Sequence, residues 1–228
     1  MNETRAAVLD ALADGPITGP ELADELDISR TAVWKHVEAL REAGFDVESV
    51  ADGYELAGVP EYGGAAVEFG LEAPFEVEYH DALPSTNDRA RELAAEGACD
   101  VAVLADKQTG GRGRRGREWS SPSGGVWLSL VLCPDLPPAR VPLLTLAAAV
   151  AVTDAAREAG VHAEIKWPND VIVRQDGDNV PERGGDKLAG VLTEMEGEAS
   201  RVSWVVVGMG INVNVDPSDL SGDATSVR

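Results

Sequence analysis

The sequence predicts an α+β chain in two parts: a small helical module closed by a hairpin, then a larger domain on a mixed or antiparallel sheet. Three observations predict it. Residues 1–57 carry three short amphipathic segments followed by two alternating strands around Asp52-Gly53. Residues 58–75 lose that periodicity and collect Gly, Pro and Glu, as a linker does, with room for one short helix. Residues 76–228 hold several strand-like runs in succession with few helices between them, which argues against a doubly wound parallel sheet.

In the first part, Thr4 to Ala13 places Ala7, Val8, Leu9, Ala11 and Leu12 mostly on one helical face, and Gly15-Pro16 ends the helix. Pro20 opens a second helix with Leu22, Ala23 and Leu26 apolar. Ser29 suits the N-cap of a third, which runs to about Ala43 with Val33, Val37 and Leu40 as its buried stripe. Phe45 to Val50 alternates like a strand, Asp52-Gly53 turns, and Tyr54 to Leu56 returns. That order is a winged helix-turn-helix. The N-terminal end of its third helix, with Arg30, Thr31, Trp34, Lys35 and His36, is the expected DNA-reading surface. The other reading is a module kept for dimerisation or docking.

In the second part, Val77 to His80 reads as a strand. Ser85-Thr86-Asn87-Asp88 caps a helix that ends at Gly97, and Val101 to Ala105 and Val126 to Leu132 are strands either side of a long loop. Val141 to Ala159 is a long apolar helix, expected to be buried. Ile165 to Trp167, Val171 to Arg174, Lys187 to Met195 and Val202 to Asn212 read as further strands. The longest apolar stretches are broken by Pro, Thr, Asp or Arg well before a membrane span could form, so no membrane helix is expected, and Met1 to Arg5 does not read as a signal peptide. Cys99 and Cys133 are expected as buried or half-buried free thiols in a reducing cytoplasm.

The 228 residues carry 40 acidic against 19 basic side chains, a net charge of -21. Nucleic-acid binders are usually basic, so one implication is avoidance of DNA. Adaptation to concentrated salt, which screens self-repulsion, is the better one. Of the basic residues only Lys35, Lys107, Lys166 and Lys187 are lysines, and three of the four fall in one candidate site.

That site centres on Gly110-Gly111-Arg112-Gly113-Arg114-Arg115-Gly116-Arg117. Glycines let the backbone approach a ligand, and arginines offer permanently charged forks for phosphate and carboxylate oxygens. No Gly-Lys-Ser/Thr follows, so this is not a Walker loop, and the spacing is not that of a dinucleotide fingerprint. A disordered, nucleic-acid-binding Arg/Gly segment is the bland alternative. Lys166-Trp167-Pro168-Asn169-Asp170 presents oxygens suited to Mg²⁺ on phosphates, or is a common turn. Lys187-Leu188-Ala189-Gly190-Val191-Leu192 opens a strand with a lysine, and Gly208-Met209-Gly210-Ile211-Asn212-Val213-Asn214 ends one with glycines and amides.

Ser85-Thr86-Asn87, Gln108, the GRGRRG loop, KWPND, KLAGVL and GxGINVN occur together, in an order that resembles the biotin protein ligases. Among these the chain is most similar to the bifunctional ones that carry an N-terminal winged helix and double as biotin-operon repressors. The resemblance covers nearly the whole chain. It implies a catalytic domain similar to the core of class II aminoacyl-tRNA synthetases. It also implies formation of biotinyl-5′-AMP from biotin and ATP, then transfer of biotin to a lysine of a biotin carboxyl carrier protein.

By the same resemblance, Arg114, Lys166 and Lys187 carry the chemistry. Ser85, Thr86, Asn87, Gln108, Arg112, Gly113, Arg114, Lys187 and Gly190 bind biotin, with Trp127 and Leu188 to Leu192 housing its rings. Arg112, Arg114, Arg115, Trp119, Lys166, Asn169, Asp170 and Asn212 bind the nucleotide, with Asp170 near Mg²⁺. Operator DNA, the carrier protein and a second copy of the chain paired through the sheet are the implied partners, in a cytoplasmic setting. Alternatives are a lipoate-type ligase on the same fold and a biotin-sensing regulator without catalysis. Two departures stand out. Gln175 to Asp186 is a longer, acidic surface loop than the family needs, and the family continues beyond Asn212 into a small β-barrel domain, so the catalytic domain is expected to be incomplete.

Overall fold

A computed structural model describes residues 1–174, 184–220 and 222–228. They form two compact units, Met1–Ala73 and Pro74–Arg228. The acidic loop expected at Gln175 to Asp186 lies mostly outside the described residues.

The first unit has helices α1 (Glu3–Ala13), α2 (Gly19–Glu25) and α3 (Arg30–Glu42), a hairpin of β1 (Asp46–Val50) and β2 (Gly53–Gly58), and the short α4 (Gly64–Glu68). Each of the three main helices begins on a side-chain cap. Asn2 accepts from the Arg5 amide, Thr18 and Glu21 form a reciprocal capping box, and Ser29 Oγ accepts from Ala32 N at 3.1 Å. Val8, Leu9, Leu12, Leu22, Val33, Val37 and Leu40 meet Phe45 and Val47 in one core. The hairpin is fastened to the α1–α2 connection, since Ile17 N donates to Tyr54 O at 3.0 Å and Tyr54 N to Ile17 O at 2.9 Å. Gly53 is required there: its φ is +122°, and a Cβ would lie 2.2 Å from Ile17 O.

The second unit is a seven-stranded sheet. In sequence its elements are β3 (Glu76–Leu83), α5 (Thr86–Ala95), β4 (Val101–Gln108), β5 (Val126–Leu132), α6 (Pro142–Glu158), β6 (Ala163–Lys166), β7 (Asp170–Val173), β8 (Asp186–Gly197) and β9 (Val202–Ile211). Strand order is β3-β4-β5-β9-β8-β7-β6. Only β3 and β4 run parallel, with α5 as their crossover; all other neighbours are antiparallel.

The period of two along β5 and β9 serves a different helix on each face. Val131 and Val206 pack with Ala90 and Ala94 of α5, while Leu130, Val205, Val207 and Met209 pack with Ala149, Val152 and Ala156 of α6. Helix α6 is therefore only half buried, not wholly so as expected. Leu143 and Val150 lie on its outer side, 61% and 44% exposed. Contrary to expectation, Pro138–Glu158 is also long and apolar enough to cross a membrane by length and composition alone, although its inner face belongs to the core.

The free-thiol expectation is corrected as well. Cys99 and Cys133 are disulfide-bonded, with Cα atoms 5.7 Å apart, and both are exposed. The cause is register: Val101 pairs with Val131, so extending β4 and β5 by two residues sets position 99 opposite 133. Residues 34 apart in sequence meet only because those two strands are neighbours.

Trp127 of β5 is fully buried, and its Nε1–H is shared between Asp106 O at 3.1 Å and Pro122 O at 2.9 Å. It fastens both ends of the long loop. Trp127→Phe keeps most of the ring but strands two carbonyls. The expected loss is about 1–3 kcal/mol in denaturant unfolding; an unchanged midpoint would show that water replaces the indole at no cost.

Candidate functional site

The first wall of the site grows from the N-terminus of α5. Ser85 is the N-cap. Thr86 donates from its amide to Gln108 Oε1 at 2.8 Å and from its hydroxyl at 3.1 Å, and Gln108 Nε2 donates to Ser121 Oγ at 2.9 Å. Ser129 Oγ lies 2.8 Å from Thr86 Oγ1 and 2.7 Å from Asn87 Oδ1. Asn87 Nδ2 donates to Glu194 Oε2 at 2.9 Å. The amide and hydroxyl groups are thus fixed in direction before any ligand arrives. Strand β9 must come close for this. A Cβ on Gly208 would sit 1.9 Å from Asn87 Oδ1, and one on Gly210 2.7 Å from Trp119 Nε1.

The opposite wall is cationic. Lys187, near the start of β8, holds Nζ 2.7 Å from Asp170 Oδ1 and 4.7 Å from the centroid of the Trp119 ring. Asn169 is buried. Its Oδ1 accepts from Arg114 Nη1 at 2.7 Å, its Nδ2 donates to Asp170 Oδ1 at 3.1 Å, and its carbonyl accepts from Val191 N at 2.8 Å.

The glycine-arginine segment lies across the top as a small hairpin. Trp119 N donates to Gly111 O at 2.9 Å, Arg112 bridges Glu118, and Gly113 N donates to Arg117 O at 2.7 Å. Arg115 sits at the tip in the left-handed region, φ 59°. Arg112 pairs with Asp88.

Between these parts is a small cavity, partly open to solvent. Ser85, Thr86, Asn87, Gln108, Arg112, Gly113, Arg114, Trp119, Asn169, Lys187 and Gly190 all line it. Asp170 reaches it through Lys187. Arg115 and Lys166 are exposed and lie outside the lining, and Lys107 borders a neighbouring cleft, so of the lysines only Lys187 faces this cavity. Asn212 is buried behind it: its Nδ2 donates to Thr225 O at 2.9 Å, tying β9 to the C-terminal segment. Trp127 and Leu188 belong to the core rather than to the lining, whereas Val191, Leu192 and Met209 supply its apolar part. Two residues with no motif of their own, Ser129 and Glu194, complete the polar wall. Their alternation in β5 and β8 marks a face, but nothing in the sequence marks them as partners of Asn87.

Such a cavity offers fixed donors and acceptors to a neutral polar group at one end. At the other, lysine and arginine stand ready for anions. The buried Trp119 Nε1 has no hydrogen-bond partner among the described residues.

On α3 of the first unit, Arg30, Thr31, Trp34 and Lys35 are exposed on one side, with Trp34 54% exposed. Arg41 is diverted inward to Val47 O at 2.8 Å and to Glu38. His36 is half-buried, and burial followed by the charge of Arg5 lowers its pKa, so the ring favours its neutral form.

A family profile described as the biotin/lipoate A/B protein ligase family matches residues 81–212, and a helix-turn-helix profile matches residues 5–55. The bifunctional ligase/repressor BirA of Bacillus subtilis is 44% identical over 219 residues, 92% of this chain and 64% of that protein. The protein of that name from Escherichia coli K12 is 32% identical over 220 residues, 93% of this chain and 64% of that one. The chain thus spans less than two thirds of the length of these curated relatives. Among solved structures, the biotin protein ligase of Leishmania major in complex with biotin superposes with a TM-score of 0.52 at 28% identity, over 68% of this chain and 63% of that one.

The close approach of β9 gives a direct test. Gly208→Ala forces Asn87 away from Ser129, with an expected loss of about 1–3 kcal/mol of stability from the broken buried hydrogen bonds. A wild-type thermal midpoint in that variant would contradict the packing described.

Proposed function

The chain belongs to the biotin/lipoate A/B protein ligase family, and from that membership we propose that it activates biotin with ATP and transfers it to a lysine of a carrier protein. The observation that carries the reading is Lys187 and Arg114 facing the Ser85-Thr86-Asn87 and Gln108 wall across one cavity.

The fixed amide and hydroxyl wall suits the ureido group of biotin, which both donates and accepts. The dithiolane ring of lipoate has no such group, and this favours biotin within the family. Val191, Leu192 and Met209 take the rings and chain. The carboxylate reaches Lys187, replacing Asp170 as its partner. Two anions must now meet in a partly desolvated space, and their repulsion is the barrier the cations lower. A carboxylate oxygen attacks the α-phosphorus, the bond to the bridging oxygen of the β-phosphate breaks, and pyrophosphate leaves. Arg114 leaves the neutral Asn169 amide for a phosphate, Trp119 stacks on adenine, and Arg115 and Lys166 meet the triphosphate from the rim. The ε-amine of the acceptor lysine then attacks the acyl carbon of biotinyl-5′-AMP, losing a proton as AMP departs with the bond electrons. Positioning and charge do the work, with no covalent intermediate on the enzyme.

In the ligand-free chain Asp170 Oδ1 is engaged by Lys187 and by Asn169 Nδ2. Once the biotin carboxylate takes Lys187, Asp170 is the carboxylate that would hold a magnesium ion carried on the ATP phosphates, where the ion would supply further charge neutralisation.

The first unit is the operator reader, with α3 in the major groove and Arg30 and Lys35 as its exposed cations. The exposed sheet edges at β3 and β6 are where two copies would pair. The need for ATP argues for the cytoplasm, where the Cys99–Cys133 bond is an exception to the usual reduced state, and the acid-rich composition suits molar salt.

The test is biotin-dependent ATP–pyrophosphate exchange in molar KCl. Lys187→Ala and Arg114→Ala should each slow adenylate formation by about 10²-fold or more, the scale for removing a charged stabiliser. Normal single-turnover formation in both would defeat the role assignment, and exchange with lipoate instead of biotin would change the substrate. Arg30→Ala with Lys35→Ala should abolish operator binding in concentrated KCl; retained binding would exclude α3 as the reader.

A further inference from the structure

The arginines of the glycine-rich hairpin are held by unlike partners. Arg112 donates Nη2–H to the carboxylate of Asp88, while Arg114 donates to a neutral amide oxygen, Asn169 Oδ1, at 2.7 Å. Asp88 lies in the first turn of α5, its amide held by Ser85 Oγ at 3.4 Å. It also accepts from Arg91, whose Nη1 is 3.5 Å from Glu194 Oε1, and Glu194 in turn fixes Asn87. Charges alternate along Arg112, Asp88, Arg91 and Glu194, and the chain ends on the amide that orients the polar wall.

We propose that Asp88 is a positioning residue that moors the glycine-arginine hairpin to α5 through Arg112, leaving Arg114 as the arginine that answers an incoming anion. The physical reason lies in the acceptors. A guanidinium–carboxylate contact is charge-assisted on both sides, whereas the Asn169 contact is charge-assisted on one. A phosphate or carboxylate therefore displaces Asn169 readily but must compete with a full negative charge for Arg112. Arg112 thus serves as the hinge-side anchor rather than as an anion ligand. The pair is partly exposed, with side chains at 43% and 31%, so its effect is modest and measurable rather than essential to folding.

The consequence for adenylate formation rests on the ligase reading, but the mooring is tested without it. Asp88→Asn is isosteric and keeps the first turn of α5. In ligand-free protein, trypsin cleavage within residues 112–117, read on reducing gels, should accelerate about fivefold (about 1 kcal/mol at 1.4 kcal/mol per decade). Asp88→Glu should restore most of the resistance. In the half-reaction with biotin and ATP, Asp88→Asn should raise KM about fivefold and lower kcat by less than about twofold, because the hairpin is misplaced rather than deprived of its reacting charge. In the cleavage assay Asp88→Asn added to Arg112→Gln should cost nothing further, because the other contact of Asp88, to Arg91, lies outside the hairpin. An unchanged cleavage rate in Asp88→Asn, or additive effects in the double variant, overturns the mooring. Should the wild type form no adenylate while Asp88→Asn still loosens the hairpin, the ligase reading fails and the mooring stands. A general destabilisation is recognised by a lowered thermal midpoint with cleavage spread over both units, and counts against it.

Discussion

A chain with a net charge of -21 gives the cations that line its cavity chosen partners: Lys187 meets Asp170, Arg112 meets Asp88 and Arg114 meets Asn169. The contact between Lys187 and Asp170 is the one around which the others are arranged. It sets the start of β8 against the turn that opens β7, and Asn169 beside it receives Arg114. Trp119 lies over the same ammonium. A lone ammonium in a narrow space would lose solvation, and an unmatched carboxylate would repel an anionic ligand. Together they hold both charges at low cost, and in the proposed reaction a ligand carboxylate takes the place of Asp170.

The sheet makes this storage possible. Because β8 and β9 pair antiparallel with Gly190 opposite Gly210, two residues without side chains face each other beneath Trp119. The indole and the lysine occupy space that any larger residues would fill. On the other side Gly208 lets Asn87 reach β5. The cavity is therefore made as much by side chains withheld as by side chains supplied.

Much of this was legible in the sequence. Caps at Ser29 and Ser85, the alternation in Val126 to Leu132, and the paired hairpin strands follow local rules, and the structure reproduces them within a residue or two. The lining was legible as well, since Ser85 to Asn87, Gln108, Arg112, Arg114, Asn169 and Lys187 sit in motifs whose composition departs from an ordinary loop or strand. What escaped depends on neighbours far away in the chain. Ser129 and Glu194 resemble any strand residues until α5 is laid over them. Lys166 shares a motif with Asn169, yet it stands exposed on an edge strand, outside the lining. The two cysteines gave no sign of pairing, because the sequence does not say that β4 and β5 are neighbours in that register.

That bond, placed where it is, encloses the whole glycine-arginine hairpin within a covalent ring running from Cys99 to Cys133. A peptide bond broken anywhere inside the ring does not release a fragment. The clipped molecule keeps its mass but for one water, comigrates with the intact one on a denaturing gel run without thiol, and separates only once the sulfurs are reduced. A cut beside these exposed arginines can thus hide in an apparently homogeneous preparation, and the oxidised form has a built-in splint across the segment that carries them.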